Sequence, residues 1–166
     1  MLTSGINFKN FKVKKKKISL VKKILDQIIN EKNPVIESLG VNYKNSFKKK
    51  QLSKYKKNLH YRVIGMGAST LGTQTIYDFL KDKIKKNFLF IDNLEPKPQK
   101  DKKKIFTNLV VSKSGNTIET IVNANILIRN KNRNIFITEN KKNYLYLLAK
   151  QLKAEIIHHN NFIGGR

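Results

Sequence analysis

The stretch Ser112-Lys113-Ser114-Gly115-Asn116-Thr117-Ile118-Glu119-Thr120 gathers four hydroxyls and an ammonium where a helix is about to begin. Asn116 and Glu119 have the spacing of a capping box, which accounts for one or two of these residues as plain helix-start chemistry. Ser112, Lys113, Ser114 and Thr117 together suit another task, holding the oxygens of a phosphate monoester. Hydroxyls donate to such oxygens, an ammonium adds charge, and the amides of a helix start carry partial positive charge toward them. A second stretch, Gly65-Met66-Gly67-Ala68-Ser69-Thr70-Leu71-Gly72, follows an apolar run. Its glycines permit a sharp turn, and Ser69 or Thr70 can cap the helix beyond. It reads either as a simple turn or as a second phosphate-facing loop. It lacks the Gly-Lys-Ser/Thr ending of a Walker loop. It is also no clean dinucleotide fingerprint, since Ala68 and Ser69 precede its third glycine and only Asp92 offers itself as the ribose-binding acid. Histidine is a common general acid or base, but His158 and His159, as a pair at a strand end, read as structural or solvent-facing groups.

Both loops need a scaffold, and the pattern after residue 60 supplies one. Short apolar runs at 61–66, 88–91, 109–111, 135–137 and 154–157 read as strands. Between them, Leu71, Thr75, Ile76, Phe79 and Leu80, then Ile118, Ile121, Val122, Asn125 and Ile126, then Leu145, Leu148, Ala149 and Leu152 recur at helical spacing. Strands alternating with helices imply a doubly wound parallel five-stranded sheet of the α/β class. In a flavodoxin-like strand order, the first and third strands are neighbours, so both loops open on one crevice. Before residue 60 the chain is lysine-rich. Ile18, Val21, Ile24, Leu25, Ile28 and Ile29 predict an amphipathic helix stopped at Asn33-Pro34, and residues 41–57 read as a second helix or an arm. The expected organisation is an N-terminal helical segment over 1–59 and an α/β domain carrying both loops over 60–166.

With the motifs in place, the chain resembles the sugar isomerase (SIS) domain of the glucose-6-phosphate isomerase family over about 61–166. Ser112–Thr120 is similar to that family's phosphate loop. Ile64–Gly72 is similar to its first glycine loop, with Gly67-Ala68-Ser69 where Gly-Gly-Ser is usual. Ile163-Gly164-Gly165-Arg166 is similar to its Gly-Gly-Arg segment. The resemblance implies interconversion of glucose 6-phosphate and fructose 6-phosphate through a cis-enediolate, without metal or cofactor. It implies phosphate binding by Ser112, Ser114 and Thr117, supported by Lys113, Gly115 and Asn116. Gly67, Ala68 and Ser69 would lie against the substrate, and Arg166 would face the enediolate. The family's glutamate base, phosphate-binding glutamine and ring-opening histidine and lysine lie beyond its Gly-Gly-Arg segment. The chain is therefore expected to be the N-terminal part of an isomerase and inactive alone. The resemblance also implies a homodimer for the full-length protein. The alternative is a stand-alone sugar-phosphate-binding module that needs no base.

Composition narrows the remaining classes. Among 166 residues, 35 are lysine or arginine and 11 acidic, for a net charge of +24, and cysteine is absent. Disulfides, thiol nucleophiles and Cys-ligated metals are thereby excluded. No apolar run approaches the roughly 20 residues of a spanning helix, and Lys22, Lys23 and Asp26 interrupt the one stretch that could imitate a signal-peptide core. A cytoplasmic protein without a membrane partner is expected. Only Arg62, Arg129, Arg133 and Arg166 are arginines. Base readout and bidentate phosphate contacts favour arginine's planar fork, so the positive charge is read as a solvated lysine surface rather than a nucleic-acid interface.

Overall fold

The computed structural model describes residues 15–94, 104–129 and 133–164, with the side chains of 15–17 left aside. The chain divides into two compact units, 1–43 and 44–166. Residues 44–59, grouped by composition with the N-terminal segment, share the second unit with the sheet. No helix among the described residues is long and apolar enough to cross a membrane.

In the first unit, the apolar spacing noted above forms helix α1 (Lys15–Asn30). Asn33-Pro34 does more than stop a helix. The Asn33 side chain accepts from the Val35 amide and Pro34 opens helix α2 (Pro34–Glu37). Proline suits a helix start because its missing N–H would have no partner there.

The second unit holds helix α3 (Lys49–Ser53), then strand β1 (His60–Ile64), helix α4 (Ala68–Leu80) and strands β2 (Asn87–Ile91) and β3 (Thr107–Val111). Helix α5 (Ile118–Leu127), strand β4 (Arg133–Glu139), helix α6 (Tyr144–Gln151) and strand β5 (Glu155–His159) complete it. All strands are parallel, in the order β2-β1-β3-β4-β5. This is the doubly wound α/β architecture that the alternating apolar runs imply.

Register explains the core. Ile91, Ile64, Val110, Phe136 and Ile156 lie in one row across all five strands. Ala124 and Leu127 of α5 and Leu145 and Ala149 of α6 close over that row. Fully burying a valine, leucine, isoleucine or phenylalanine side chain contributes about 1.5–3 kcal/mol. Helix α4 covers the opposite face, where Tyr77 packs on Phe88 and Phe90 and Tyr61 stacks on Phe88. Its more buried positions include Thr70, Gln74, Tyr77 and Leu80, the last of them one of the residues of the expected core face. Leu71, Ile76 and Phe79, whose spacing suggested a core face, are exposed. Two parallel connections thus leave the sheet in opposite directions, α4 after β1 and α5 after β3. The point where they part is the switch point of the sheet.

Candidate functional site

The two chemically loaded loops meet at that point. They leave the C-terminal ends of the paired strands β1 and β3, and the approach is close. A Cβ on Gly65 would stand 3.0 Å from the carbonyl oxygen of Val111 and 3.1 Å from the side chains of Ser69 and Thr70. A side chain there would require these neighbours to give by a few tenths of an ångström.

In the first loop, Gly67 takes φ +53°, a conformation that L side chains rarely adopt, and it serves as the N-cap of α4. No side chain caps this helix. The expectation that Ser69 or Thr70 would do so is corrected, because both lie inside the first turn. The Thr70 hydroxyl instead donates to the Gly67 carbonyl at 3.0 Å. The positive end of α4 is left without a side-chain acceptor beside Ala68 and Ser69.

The second loop is folded on itself. Ser112 Oγ lies 2.9 Å from Thr117 Oγ1 and accepts from the Gly115 amide at 3.2 Å. Ser114 Oγ accepts from the Asn116 amide at 3.3 Å. Ser112 is buried, Thr117 half-buried and Ser114 exposed, so the hydroxyls run from the floor to the rim. The capping-box reading of Asn116 and Glu119 is not realised. Thr117 occupies the N-cap without a side-chain cap bond, and Asn116 Oδ1 accepts from the Tyr144 amide at 3.1 Å, bracing α6. Glu119 stands in the first turn of α5, where a carboxylate favours the helix dipole. Thr120 is wholly buried in the helix and takes no place in the loop.

Ser112, Ser114, Gly115, Asn116 and Thr117 are therefore brought together as the spacing suggested. Lys113 is turned aside. Its ammonium lies 3.9 Å from a Glu139 oxygen, whose second oxygen pairs with Lys141 at 3.0 Å. The lysine flanks the loop rather than pointing into it. Gly165 and Arg166 lie outside the described residues.

His158 and His159 sit at the end of β5, two strands beyond β3, opposite Thr138 and Glu139. The His159 ring is held by the Asn160 carbonyl, 2.8 Å from Nδ1. His158 Nδ1 is buried with no hydrogen-bond partner among the described residues. Neither ring belongs to the loop pair. A separate cleft of about 930 Å³ between α3, α6 and β5 is lined by Lys54, Tyr146, Glu155 and His158 among others, and by no residue of either loop.

Two groups escaped the sequence reading: Asn143, the side-chain N-cap of α6, and Thr138 at the end of β4. Asn143 Nδ2 donates to Thr138 Oγ1 at 3.1 Å, and Thr138 Oγ1 donates to the Lys113 carbonyl at 3.2 Å. An asparagine before a helical apolar pattern signals a cap. Nothing in its spacing says that it touches a loop nearly thirty positions earlier.

The doubly wound parallel α/β fold with loops meeting at its switch point is shared by known structures. The tagatose-6-phosphate ketose/aldose isomerase of Escherichia coli superposes with a TM-score of 0.52 at 18% identity, covering 87% of this chain and 36% of that one. The hypothetical protein TT0462 of Thermus thermophilus gives 0.55 at 23% identity, covering 64% and 29%. In sequence, the chain is similar to glucose-6-phosphate isomerases. It is 39% identical to that of Methanocaldococcus jannaschii over 106 residues, covering 55% of this chain and 26% of the relative. It is 33% identical to that of Borreliella afzelii over 124 residues, covering 62% and 23%. The chain thus spans about a quarter of the length of these relatives. No protein-family model matches it.

Proposed function

We propose that this chain contributes the phosphate-binding part of an isomerase that interconverts glucose 6-phosphate and fructose 6-phosphate. The observation that carries the reading is the convergence of Ser112, Ser114 and Thr117 at the uncapped start of α5, beside the Gly65–Gly67 turn. A phosphate there would take its hydrogen bonds from these hydroxyls and from loop amides, with the α4 and α5 N-termini adding positive potential. The sugar tail would extend past Ala68 and Ser69. Similarity to glucose-6-phosphate isomerases supports the hexose and the reaction.

The reaction moves a proton between C1 and C2 through an enediolate. A base must reach the carbon acid, and a cation must steady the oxygen anion. Arg166 is assigned that second role by its motif. It remains protonated and cannot act as the base. Among the described acids near the loops, Glu119 is engaged with the start of α5, Glu139 with two lysines, and Asp92, just after β2, accepts from the Asn93 side chain at 3.4 Å. We assign the base to none of these described acids.

Titration calorimetry with glucose 6-phosphate and glucose tests the binding half of the reading. Clear preference for the phosphorylated sugar is expected, and equal binding would overturn it. A coupled assay on the purified 166-residue chain tests the other half. No turnover is expected, and turnover at an enzymatic rate would require a base within the chain.

A further inference from the structure

We infer that Asn143 is a positioning residue for phosphate recognition, holding the Ser112–Thr117 loop from behind. The inference rests on the reading of that loop as a phosphate site. Asn143 is 6% exposed and works in three directions. Its Oδ1 accepts from the Tyr146 amide at 2.9 Å, capping α6. Its Nδ2 donates to Thr138 Oγ1, which in turn donates to the Lys113 carbonyl. Its amide group lies directly against Gly115, where φ is +66° and any Cβ would run into it.

The same corner collects the loop's carbonyls. The Lys113 oxygen accepts from the Glu139 amide at 3.0 Å as well as from Thr138, and the Gly115 oxygen accepts from the Leu145 amide at 3.1 Å. Across a trans peptide, the carbonyl of one residue and the N–H of the next point in opposite directions. Turning the carbonyls of Lys113 and Gly115 back toward β4 and α6 therefore turns the amides of Ser114 and Asn116 forward, to the open side. The Asn116 amide indeed donates to the exposed Ser114 hydroxyl there. Asn143 touches no ligand in this arrangement. It fixes the direction of the donors that would.

The test separates capping from loop support. Asn143→Ser keeps a good N-cap acceptor for α6 but loses the donor to Thr138 and the packing against Gly115. The ¹⁵N-labelled protein is titrated with inorganic phosphate and with glucose 6-phosphate, following the Ser114 and Asn116 amide signals. In the parent, both signals shift on binding. In Asn143→Ser, melting within a few degrees of the parent, affinity at least tenfold weaker and a reduced amide shift are expected. Parent-like affinity in that variant, with binding lost in Ser114→Ala, overturns the positioning role and leaves the phosphate site standing. No binding by the parent overturns both. If Asn143→Ser does not fold, Thr138→Val removes the same link at nearly constant shape, with tenfold weakening expected and unchanged affinity again decisive against it.

Discussion

Ser114 and Thr117 differ in what their removal should cost. Each would give one hydrogen bond to a charged phosphate oxygen, a contribution of about 1.5–3 kcal/mol. Ser114→Ala and Thr117→Ala are each expected to weaken hexose 6-phosphate binding by roughly ten- to a hundredfold on that scale. The exposed Ser114 should leave thermal stability unchanged, whereas Thr117 also loses its partner Ser112. Calorimetric titration beside thermal melts reads both effects. The ligand's own ionisation sets a pH dependence. A phosphate monoester loses its second proton near about pH 6, so affinity should rise as pH goes from about 5 to 7 and then level. A flat profile over that window would mean that the dianion is not the species recognised. Gly115 is the residue least open to change. Gly115→Ala meets both the positive φ and the Asn143 amide, and should cost stability and binding together.

The strands were legible as elements because a parallel strand covered on both faces is a short, nearly continuous apolar run, as in Tyr61–Ile64 or Leu109–Val111. Of the doubly wound orders open to such a pattern, the flavodoxin-like one that brings the two loops together is the one that forms. The orientation of α4 was not legible. Leu71, Ile76 and Phe79 have the better hydrophobic spacing, yet the helix turns Thr70 and Tyr77 inward, because Phe88 and Phe90 offer Tyr77 an aromatic surface. The aim of Lys113 and the brace from Asn143 were hidden for a different reason. Both depend on residues that only the β3–β4 pairing brings alongside. Helix α3 shows how such distant contacts tether an element: Lys54 and Gln51 both reach the Glu155 carboxylate, at 2.6 and 3.2 Å. The bond to Glu155 holds the Lys54 pKa above its ordinary value, opposed by slight desolvation. A raised lysine pKa means that the pair's contribution is intact below the ordinary lysine range and is lost only as pH climbs through the raised value. Lys54 is largely exposed, so Lys54→Met should cost less than about 1 kcal/mol, and the difference from the parent should vanish only in strong alkali. A parallel set of melts from neutral pH upward measures it.

At the scale of the molecule, a net charge of +24 on 166 residues means that the folded chain repels itself. Salt screens such repulsion over about 10 Å at 0.1 M. The melting temperature should therefore rise with sodium chloride between about 20 and 300 mM, while hexose 6-phosphate affinity falls over the same range as anions compete and the field weakens. The opposite signs make the pair of measurements informative. A melting temperature indifferent to salt would show that the lysines are locally compensated. The contact of Gly65 with the Val111 carbonyl has a bearing on how such a surface can exist at all. Main chain meets main chain there, as it does where the Glu139 and Leu145 amides reach the loop carbonyls. The spacing of the loops is thus set largely by atoms that every amino acid shares. Compositional drift toward lysine can rewrite the exterior position after position without moving the crevice, provided that it spares a few glycines, hydroxyls and asparagines.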